Sequence, residues 1–237
     1  MSKKQVIILI GPPGAGKGTQ AELLADKLSL YYFETSKILE QEFRKAENFS
    51  ASSKERFIKV EGEKFDILNE KKIWEKGILC SPPFVAYLVK EKIKELFESD
   101  ENLVLAGSPR TLYEGKRIIP FLKKLYGEKN IIVVLIEISA QETIFRNSHR
   151  RICELMRHPV LYNKETIKLT MCPLDGSKLM KRKGLDDPET IKVRLKEYEE
   201  RTLPLLEYFK NQGVKVKKIK GEQSVADVFR DILKTIR

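Results

Sequence analysis

The amino-acid sequence predicts an α/β fold, a doubly wound parallel sheet with helices on both faces. Two observations support this class. Apolar segments of strand length alternate with helical patterns along the chain, and the first apolar segment leads directly into a glycine-rich loop followed by a helix. Units of this kind connect by right-handed crossovers, which makes the strands parallel. Ligands of such sheets bind at the carboxyl ends of the strands.

The strands are predicted from their apolar content. Residues 6–10 (VIILI) form a buried strand, since five apolar residues lead into glycines. A short second strand covers residues 31–35, and further strands cover 103–106, 131–138 and 214–219.

Helical patterns separate these strands. They cover residues 19–28, 37–49, 63–76, 84–98, a segment between 106 and 131, 141–152, 187–211 and 224–236. Pro82-Pro83 is a natural entry to the helix at 84–98, and Pro204 interrupts the long helix at 187–211. Residues 153–185 carry two cysteines, turn pairs and short β-like pieces (VLY, IKLT), which predicts a small inserted module.

Composition limits the class of protein. With 237 residues, 41% apolar and 33% charged, the chain is expected to form one sizeable soluble core. No apolar run approaches the ~20 residues of a membrane span. The three cysteines suit a reducing compartment, so the cytoplasm is the expected location and no membrane partner is expected.

The net charge of +11 has three possible explanations. It could reflect a solvated lysine-rich surface, anionic nucleotides as substrates, or a surface that binds nucleic acid. The lysines are scattered beside glutamates, as in KEKIKELFE, and form no compact block. This pattern favours the first two explanations, and no nucleic-acid partner is expected.

The stretch GPPGAGKGTQ, residues 11–20, fits G-x-x-x-x-G-K between a strand and a helix. Glycines let backbone N–H groups converge on phosphate oxygens, and Lys17 supplies a full positive charge to the β/γ region. Gly18 follows the lysine where a hydroxyl usually binds the metal, so a nucleotide-bound metal is expected to be held by phosphates and water.

The loop resembles the GxPGxGKGTQ opening of the adenylate kinases and related nucleoside monophosphate kinases. Three further stretches are similar to motifs of that family: GSPRT at 107–111 to DGFPRT, DDPETIKVRL at 186–195 to DDxxETVxxRL, and GEQSVADV at 221–228 to GxxxVxxV. The resemblance extends over essentially the whole chain. It implies a P-loop nucleoside triphosphate hydrolase-type fold with a lid.

The resemblance also implies an activity and a domain division. The reaction would be a reversible transfer of the ATP γ-phosphoryl group, with Mg²⁺, to a nucleoside monophosphate, with AMP foremost and GMP or CMP as rivals. The core would comprise residues 1–34, 81–152 and 186–237, the acceptor insertion 35–80 and the lid 153–185. Members of this kind are usually monomers.

Carried over residue by residue, the resemblance implies three sets of site residues. The catalytic set is Lys17, Arg110, Arg146, Arg182 and Arg194. The ATP-binding set is Gly14, Ala15, Gly16, Lys17, Gly18, Thr19, Arg146, Arg150 and Gln223. The acceptor-binding set is Thr35, Ile78, Leu79, Cys80, Gly107, Arg110, Glu114, Arg182 and Arg194.

The acceptor side departs from the family pattern. The family's STGDLLR appears here as ETSKILE, so Lys37 replaces an aspartate and Glu40 replaces a phosphate-binding arginine. Ala106 replaces the aspartate of DGFPRT. A carboxylate ~4 Å from phosphate opposes binding by a few kcal/mol at an effective dielectric near 20, unless Glu40 turns away or pairs with Lys37.

Glu114 aligns with the family glutamine that reads the acceptor adenine. A carboxylate only accepts hydrogen bonds, whereas adenine also needs a donor for N1, so Glu114 favours a non-adenine acceptor or none. The alternative interpretation is an exposed helix glutamate without a role.

Two main functions therefore stay open: a working nucleoside monophosphate kinase with altered preference or reduced rate, and a catalytically degraded nucleotide-binding protein with a regulatory or structural role. A nucleic-acid-dependent NTPase is a third, less favoured function. The retained arginines and Lys17 favour the enzyme.

The lid raises the question of zinc. Some family members bind zinc through C-x2-C and C-x2-[CD], and this chain offers Cys153, Cys172 and Asp175. Met156 stands at the second position, but His158 could replace it and complete a tetrahedral set. A metal-free lid is the alternative.

Overall fold

The computed structural model describes residues 4–50, 52–181 and 184–236. These form ten strands: β1 (Val6–Ile10), β2 (Tyr31–Glu34), β3 (Phe57–Val60), β4 (Glu63–Asp66), β5 (Leu103–Ala106), β6 (Ile131–Glu137), β7 (Arg151–Cys153), β8 (Pro159–Val160), β9 (Leu179–Met180) and β10 (Val216–Lys220). The α-helices are α1 (Lys17–Leu28), α2 (Thr35–Glu47), α3 (Ile67–Glu75), α4 (Pro82–Glu98), α5 (Leu112–Tyr126), α6 (Ala140–His149), α7 (Pro188–Glu197), α8 (Pro204–Asn211) and α9 (Val225–Ile236).

The central sheet has five parallel strands in the order β10-β6-β1-β5-β2, which confirms the predicted doubly wound α/β class. Every residue of β1 is buried, and successive side chains point to opposite faces. Val6 and Ile8 belong to the core beneath α4, α5 and α8, while Ile7 and Leu9 pack with α1 and α9. Because all five strands run the same way, the loops that follow them meet at one edge of the sheet.

The predicted helix over 63–76 is wrong in its first part. Residues 57–66 form an antiparallel hairpin of β3 and β4, and helix begins only at Ile67. The turn residues Glu61 and Gly62 both have positive φ, at 49° and 90°, as tight two-residue hairpin turns require. Asp66 then caps α3 by accepting a hydrogen bond from the Leu68 amide at 3.0 Å.

The inserted module also differs in detail from its prediction. The helix predicted over 141–152 ends at His149, and β7 begins at Arg151. Strand β7 pairs with β8 and β9 in a small antiparallel sheet. The stretch IKLT is not a strand, since the carbonyls of Thr166 and Leu169 instead accept hydrogen bonds from the Arg151 guanidinium, each at 2.6 Å.

The long helix predicted over 187–211 is interrupted before Pro204, not at it. A π-helical turn, Tyr198–Thr202, separates α7 from α8, and Pro204 lies in the first turn of α8. A π-turn inserts one extra residue into a helix and is frequent at functional sites. Among the described residues, no helix is long and apolar enough to cross a membrane.

Candidate active site

The glycine-rich loop lies between β1 and α1, at the carboxyl edge of the sheet. Gly14 has φ 84°, and a Cβ there would lie 2.6 Å from Asn147 Nδ2, so a side chain would be both strained and obstructed. Ala15 is buried, and Gly18 and Thr19 lie in the first turn of α1. The loop backbone and the amino end of α1 thus form the anion-binding geometry expected of this motif.

Lys17 lies inside this loop and is surrounded by other cations. Its Nζ donates to the carbonyl oxygens of Gly11 at 2.7 Å and Pro12 at 2.9 Å. Burial lowers the pKa of Lys17 well below its ordinary value, and the positive charges of Arg110, Arg194 and Arg150 lower it further. The structure therefore brings four predicted cations together around the space above the loop.

Two of these arginines share one buried carboxylate. Asp186 Oδ1 lies 3.7 Å from Arg150 Nη1 and 3.6 Å from Arg194 Nη1. Arg150 also donates to Asn147 Oδ1 at 2.6 Å, and Arg194 donates to the Leu185 carbonyl at 2.9 Å. Asp186 was not predicted as a site residue, although it lies in the quoted DDPETIKVRL motif. Its carboxylate therefore lies within ion-pair distance of two guanidinium groups.

Arg146 connects the glycine-rich loop to the segment that follows β10. Its guanidinium bonds Glu142 Oε1 at 2.6 Å, the Gly221 carbonyl at 2.9 Å and the Gly14 carbonyl at 3.4 Å. Gln223 lies two residues beyond Gly221 and is exposed, with its amide donating to the Lys220 carbonyl at 2.7 Å. Both residues flank the loop on the same side as β6 and β10.

The acceptor wall consists of Thr35, residues 78–80 and residues 107–110, the segments that carry predicted acceptor residues. The Thr35 hydroxyl donates to Ser108 Oγ at 2.9 Å, which joins the start of α2 to the loop after β5. A Cβ on Gly107 would lie 2.7 Å from Arg110 Nη2, so the guanidinium lies directly over this glycine. Ile78 is exposed, whereas Cys80 is buried, and burial raises the pKa of its thiol to about 12.

Glu114 is not the exposed glutamate of the alternative interpretation, because its side chain is only 2% exposed. It accepts hydrogen bonds from the Arg110 amide at 2.9 Å and the Thr111 hydroxyl at 3.0 Å, while Thr111 caps α5 by accepting from the Glu114 amide at 3.2 Å. Burial raises the pKa of this carboxyl, and its hydrogen bonds with Arg110 and Thr111 oppose the shift only partly.

Of the two alternatives that the sequence left for Glu40, turning away from phosphate or pairing with Lys37, the structure does not show the pair. Lys37 pairs with Glu34 at 3.2 Å, and Glu40 Oε2 instead lies 3.1 Å from Arg157 Nη1 of the inserted module. Arg44 is a weaker second partner at 4.0 Å. The pairing was missed because Arg157 is 117 residues away in the sequence. The pair places a cation beside the Glu40 carboxylate at a partly exposed position.

Leu79 has main-chain partners that the sequence did not suggest. Its amide donates to Glu197 Oε2 at 2.9 Å, and its carbonyl lies 3.4 Å from Arg201 Nη1. Thr202 donates to the Arg110 carbonyl at 2.8 Å. No motif marks Glu197, Arg201 or Thr202, and only the tertiary contacts single them out. Arg182 lies outside the described residues.

The four proposed metal ligands of the inserted module lie together. The ligand atoms of Cys153, His158, Cys172 and Asp175 are all within 4.8 Å of one another. Cys153 Sγ lies 3.0 Å from Asp175 Oδ2, His158 Nδ1 lies 3.3 Å from the same oxygen, and Cys172 Sγ lies 3.7 Å from His158 Nδ1. Met156 is 63% exposed and does not belong to the cluster.

A phosphate loop after the central strand of a parallel sheet, faced by a lysine and three arginines, defines a P-loop phosphotransferase of the nucleoside monophosphate kinase class. The sequence model of the adenylate kinase family matches residues 9–214. The chain therefore belongs to the adenylate kinase family, and it is a phosphotransferase.

Curated relatives agree with this assignment over nearly their whole length. The adenylate kinase of Chlamydia pneumoniae is 32% identical over 236 residues, which cover 100% of this chain and 99% of the relative. That of Petrotoga mobilis is 31% identical over 235 residues, covering 98% and 97%, and that of Caldicellulosiruptor saccharolyticus is 30% identical over 232 residues, covering 97% and 98%.

Proposed function

We propose that the protein reversibly transfers the γ-phosphoryl group of ATP to AMP. The observation that carries this proposal is the position of Lys17 among Arg110, Arg150 and Arg194, between the phosphate loop and the wall formed by Thr35, Gly107 and Cys80. Cations placed between two nucleotide sites stabilise the charge on a phosphoryl group in transit, and the reaction needs little else from the protein.

The donor side is assigned to MgATP. The loop amides around Gly14 and Gly16 would bind the phosphates, and Lys17 would exchange its carbonyl partners for phosphate oxygens. Arg146 and Gln223 would lie on the base side, next to Gly221. Gly18 and Ala106 offer no oxygen ligand, so the Mg²⁺ of the substrate would be held by phosphates and water.

The acceptor side is assigned to AMP through the buried Glu114 carboxyl. A protonated carboxyl carries one donor and one acceptor, the pair that adenine needs for N1 and the N6 amino group. Burial raises the pKa of this carboxyl and so opposes its charged form. Protonation would give Glu114 the donor that a carboxylate lacks.

The regulatory alternative loses its main support. It rested on the carboxylate at position 40, whose charge would repel phosphate, but the 3.1 Å pair with Arg157 offsets that charge. The names of the relatives also give it no support. Division of the chain into a core, an acceptor insertion at 35–80 and a lid at 153–185 remains part of this proposal.

A coupled assay of ATP against AMP, GMP, CMP and UMP tests the function. AMP is expected to have the highest kcat/KM, because the curated relatives that cover nearly the whole chain are adenylate kinases. Measurable ATP binding without turnover of any of the four monophosphates would reject the kinase and restore the regulatory alternative.

The same assay, run over a pH series that starts near the ordinary glutamate pKa of about 4.3 and extends above it, tests Glu114 because burial raises its pKa. The KM for AMP is expected to rise with pH, since deprotonation removes the donor that binds adenine N1. In Glu114→Gln the amide supplies a donor at every pH, so the KM for AMP should be low and constant. Glu128→Gln, exposed in the short 3₁₀ turn that follows α5, is the matched control. A pH-independent wild-type KM that Glu114→Gln leaves unchanged would contradict this role.

We also propose that the cluster of Cys153, His158, Cys172 and Asp175 holds structural zinc. Tetrahedral bonds of about 2.0–2.3 Å place ligand atoms roughly 3.3–3.8 Å apart, and the measured separations of 3.0, 3.3 and 3.7 Å are near this range. Hydrogen bonds from Cys153 and Ser177 hold the pKa of Asp175 below its ordinary value, which leaves the carboxylate charged for a cation.

Metal analysis of protein purified without chelator is expected to find about one zinc per chain, because a closed four-ligand site binds tightly. Cys172→Ser should lose the metal. Met156→Ala, in the turn between Cys153 and His158 but outside the cluster, should keep it. Wild-type protein that contains less than about 0.2 zinc ions per chain would favour a metal-free lid.

A further inference from the structure

The π-helical turn Tyr198–Thr202 lies beside the proposed acceptor wall and contacts it at two points. Residues from the end of α7 and from this turn bond main-chain groups on both sides of the wall. The first contact reaches Leu79 and the second reaches Arg110.

At the first point, an ion pair holds both main-chain groups of Leu79. Glu197 Oε2 accepts the Leu79 amide at 2.9 Å, and Arg201 Nη1 lies 2.8 Å from the same carboxylate oxygen and 3.4 Å from the Leu79 carbonyl. The Glu197 side chain is 17% exposed and that of Arg201 28% exposed. Charge-assisted bonds at this level of burial restrict a main chain more than neutral surface bonds do.

At the second point, Thr202 holds the residue that is to grip the acceptor phosphate. Its hydroxyl donates to the Arg110 carbonyl at 2.8 Å, and the side chain is buried. The Arg110 amide donates to Glu114 on the opposite side. The peptide groups of Arg110 are therefore held by hydrogen bonds to two elements, α5 and the π-helical turn.

The same helix face approaches the chain just before Leu79. A Cβ on Gly77 would lie 2.6 Å from Thr190 Cγ2 and 3.2 Å from Arg194 Cγ, so residues 77–79 lie directly against α7. Thr190, Arg194 and Glu197 follow one another at i, i+4 and i+7, the spacing of a single helix face. Arg194 at the phosphates and Glu197 at Leu79 thus belong to one rigid surface.

From these contacts we propose that Glu197, Arg201 and Thr202 are positioning residues for the acceptor nucleotide. They hold Leu79 and Arg110 at a fixed distance from Arg194, so that the acceptor phosphate faces the donor phosphates. The inference rests on the proposed function, because it requires a nucleoside monophosphate at this wall. None of the three touches the reacting atoms.

The test compares Thr202→Val, which removes only the hydroxyl, with Thr202→Ser, which keeps it. We expect Thr202→Val to raise the KM for AMP about fivefold, the effect of losing one net hydrogen bond, and to leave the KM for ATP unchanged. Thr202→Ser should restore most of the affinity. Equal increases in both KM values, or no increase in either, would overturn the inference.

Glu197→Gln is a second test variant, at the contact with Leu79. It keeps an oxygen for the Leu79 amide but breaks the ion pair with Arg201, so the KM for AMP should again rise selectively. Glu200→Gln, exposed on the same turn, is the control and should behave as wild type. A wild type that phosphorylates no monophosphate would refute the proposed function itself. Normal wild-type turnover with unchanged acceptor KM in both variants would refute only the positioning role.

Discussion

Lys17→Met is expected to lower kcat by about three orders of magnitude or more while the fold stays intact. Lys17 is the cation inside the phosphate loop, held by the Gly11 and Pro12 carbonyls and flanked by Arg110, Arg150 and Arg194. Methionine keeps much of the apolar stem of lysine but removes the positive charge that would stabilise the phosphoryl group during transfer. The reaction would then lack its most closely placed cation.

Steady-state turnover of ATP and AMP measures the effect, with Lys27→Met as the control. Lys27 is exposed in the last turn of the same helix, so its loss should leave kcat within about twofold. Circular dichroism establishes that both variants are folded. Wild-type turnover by Lys17→Met would remove Lys17 from the catalytic set.

The same variant should change the pH dependence of stability. The folded state lowers the pKa of Lys17, so the unfolded chain binds this proton more tightly. The contribution of Lys17 to stability is therefore most favourable above its unfolded pKa of about 10.4 and is lost as pH falls through the folded pKa. In urea unfolding without nucleotide, Lys17→Met should be more stable than wild type at pH 7, with a smaller difference near pH 10.

Arg194→Lys is expected to lower kcat by on the order of 10²–10³-fold, although it keeps the positive charge. Arg194 binds the Leu185 carbonyl and Asp186 with part of its guanidinium and acts on Lys17 with its charge. A lysine ammonium cannot bond these partners and a phosphoryl group together, because it lacks the planar fork. The fall should appear mainly in kcat, since the interaction is strongest in the transition state.

Lys192→Met, on the exposed face of α7 where Lys192 pairs with Glu189, is the matched control and should retain wild-type kinetics. Single-turnover measurements separate the chemical step from product release. A fall in affinity for ATP alone, with an unchanged chemical step, would assign Arg194 to binding and not to catalysis.

The central sheet was predictable because its signals are local. An apolar run such as residues 6–10 followed by a glycine loop defines strand, loop and helix within a short window. The hairpin of β3 and β4 was missed because its turn, Glu61-Gly62, lies between charged residues that also fit a helix. Long-range bonds from Tyr113 and Arg117 to Glu61 hold that turn in place.

The candidate site was predictable to the extent that motifs mark it. Lys17, Arg110 and Arg194 lie in the quoted motifs, and the structure gathers them with Arg150. The burial of Glu114 was not predictable, since it depends on how α5 packs against α8. The same holds for Thr202, whose partner Arg110 is 92 residues away.

The ion pair between Glu40 and Arg157 has a thermodynamic consequence. Under the proposed function it joins a helix of the acceptor insertion to the lid, so it would contribute to linkage between the two ligands, and each would bind more tightly once the other is present. The Arg157 side chain is 50% exposed, which limits this cooperativity to less than about 1 kcal/mol, or roughly fivefold. Added salt should weaken it further, because the partners face solvent.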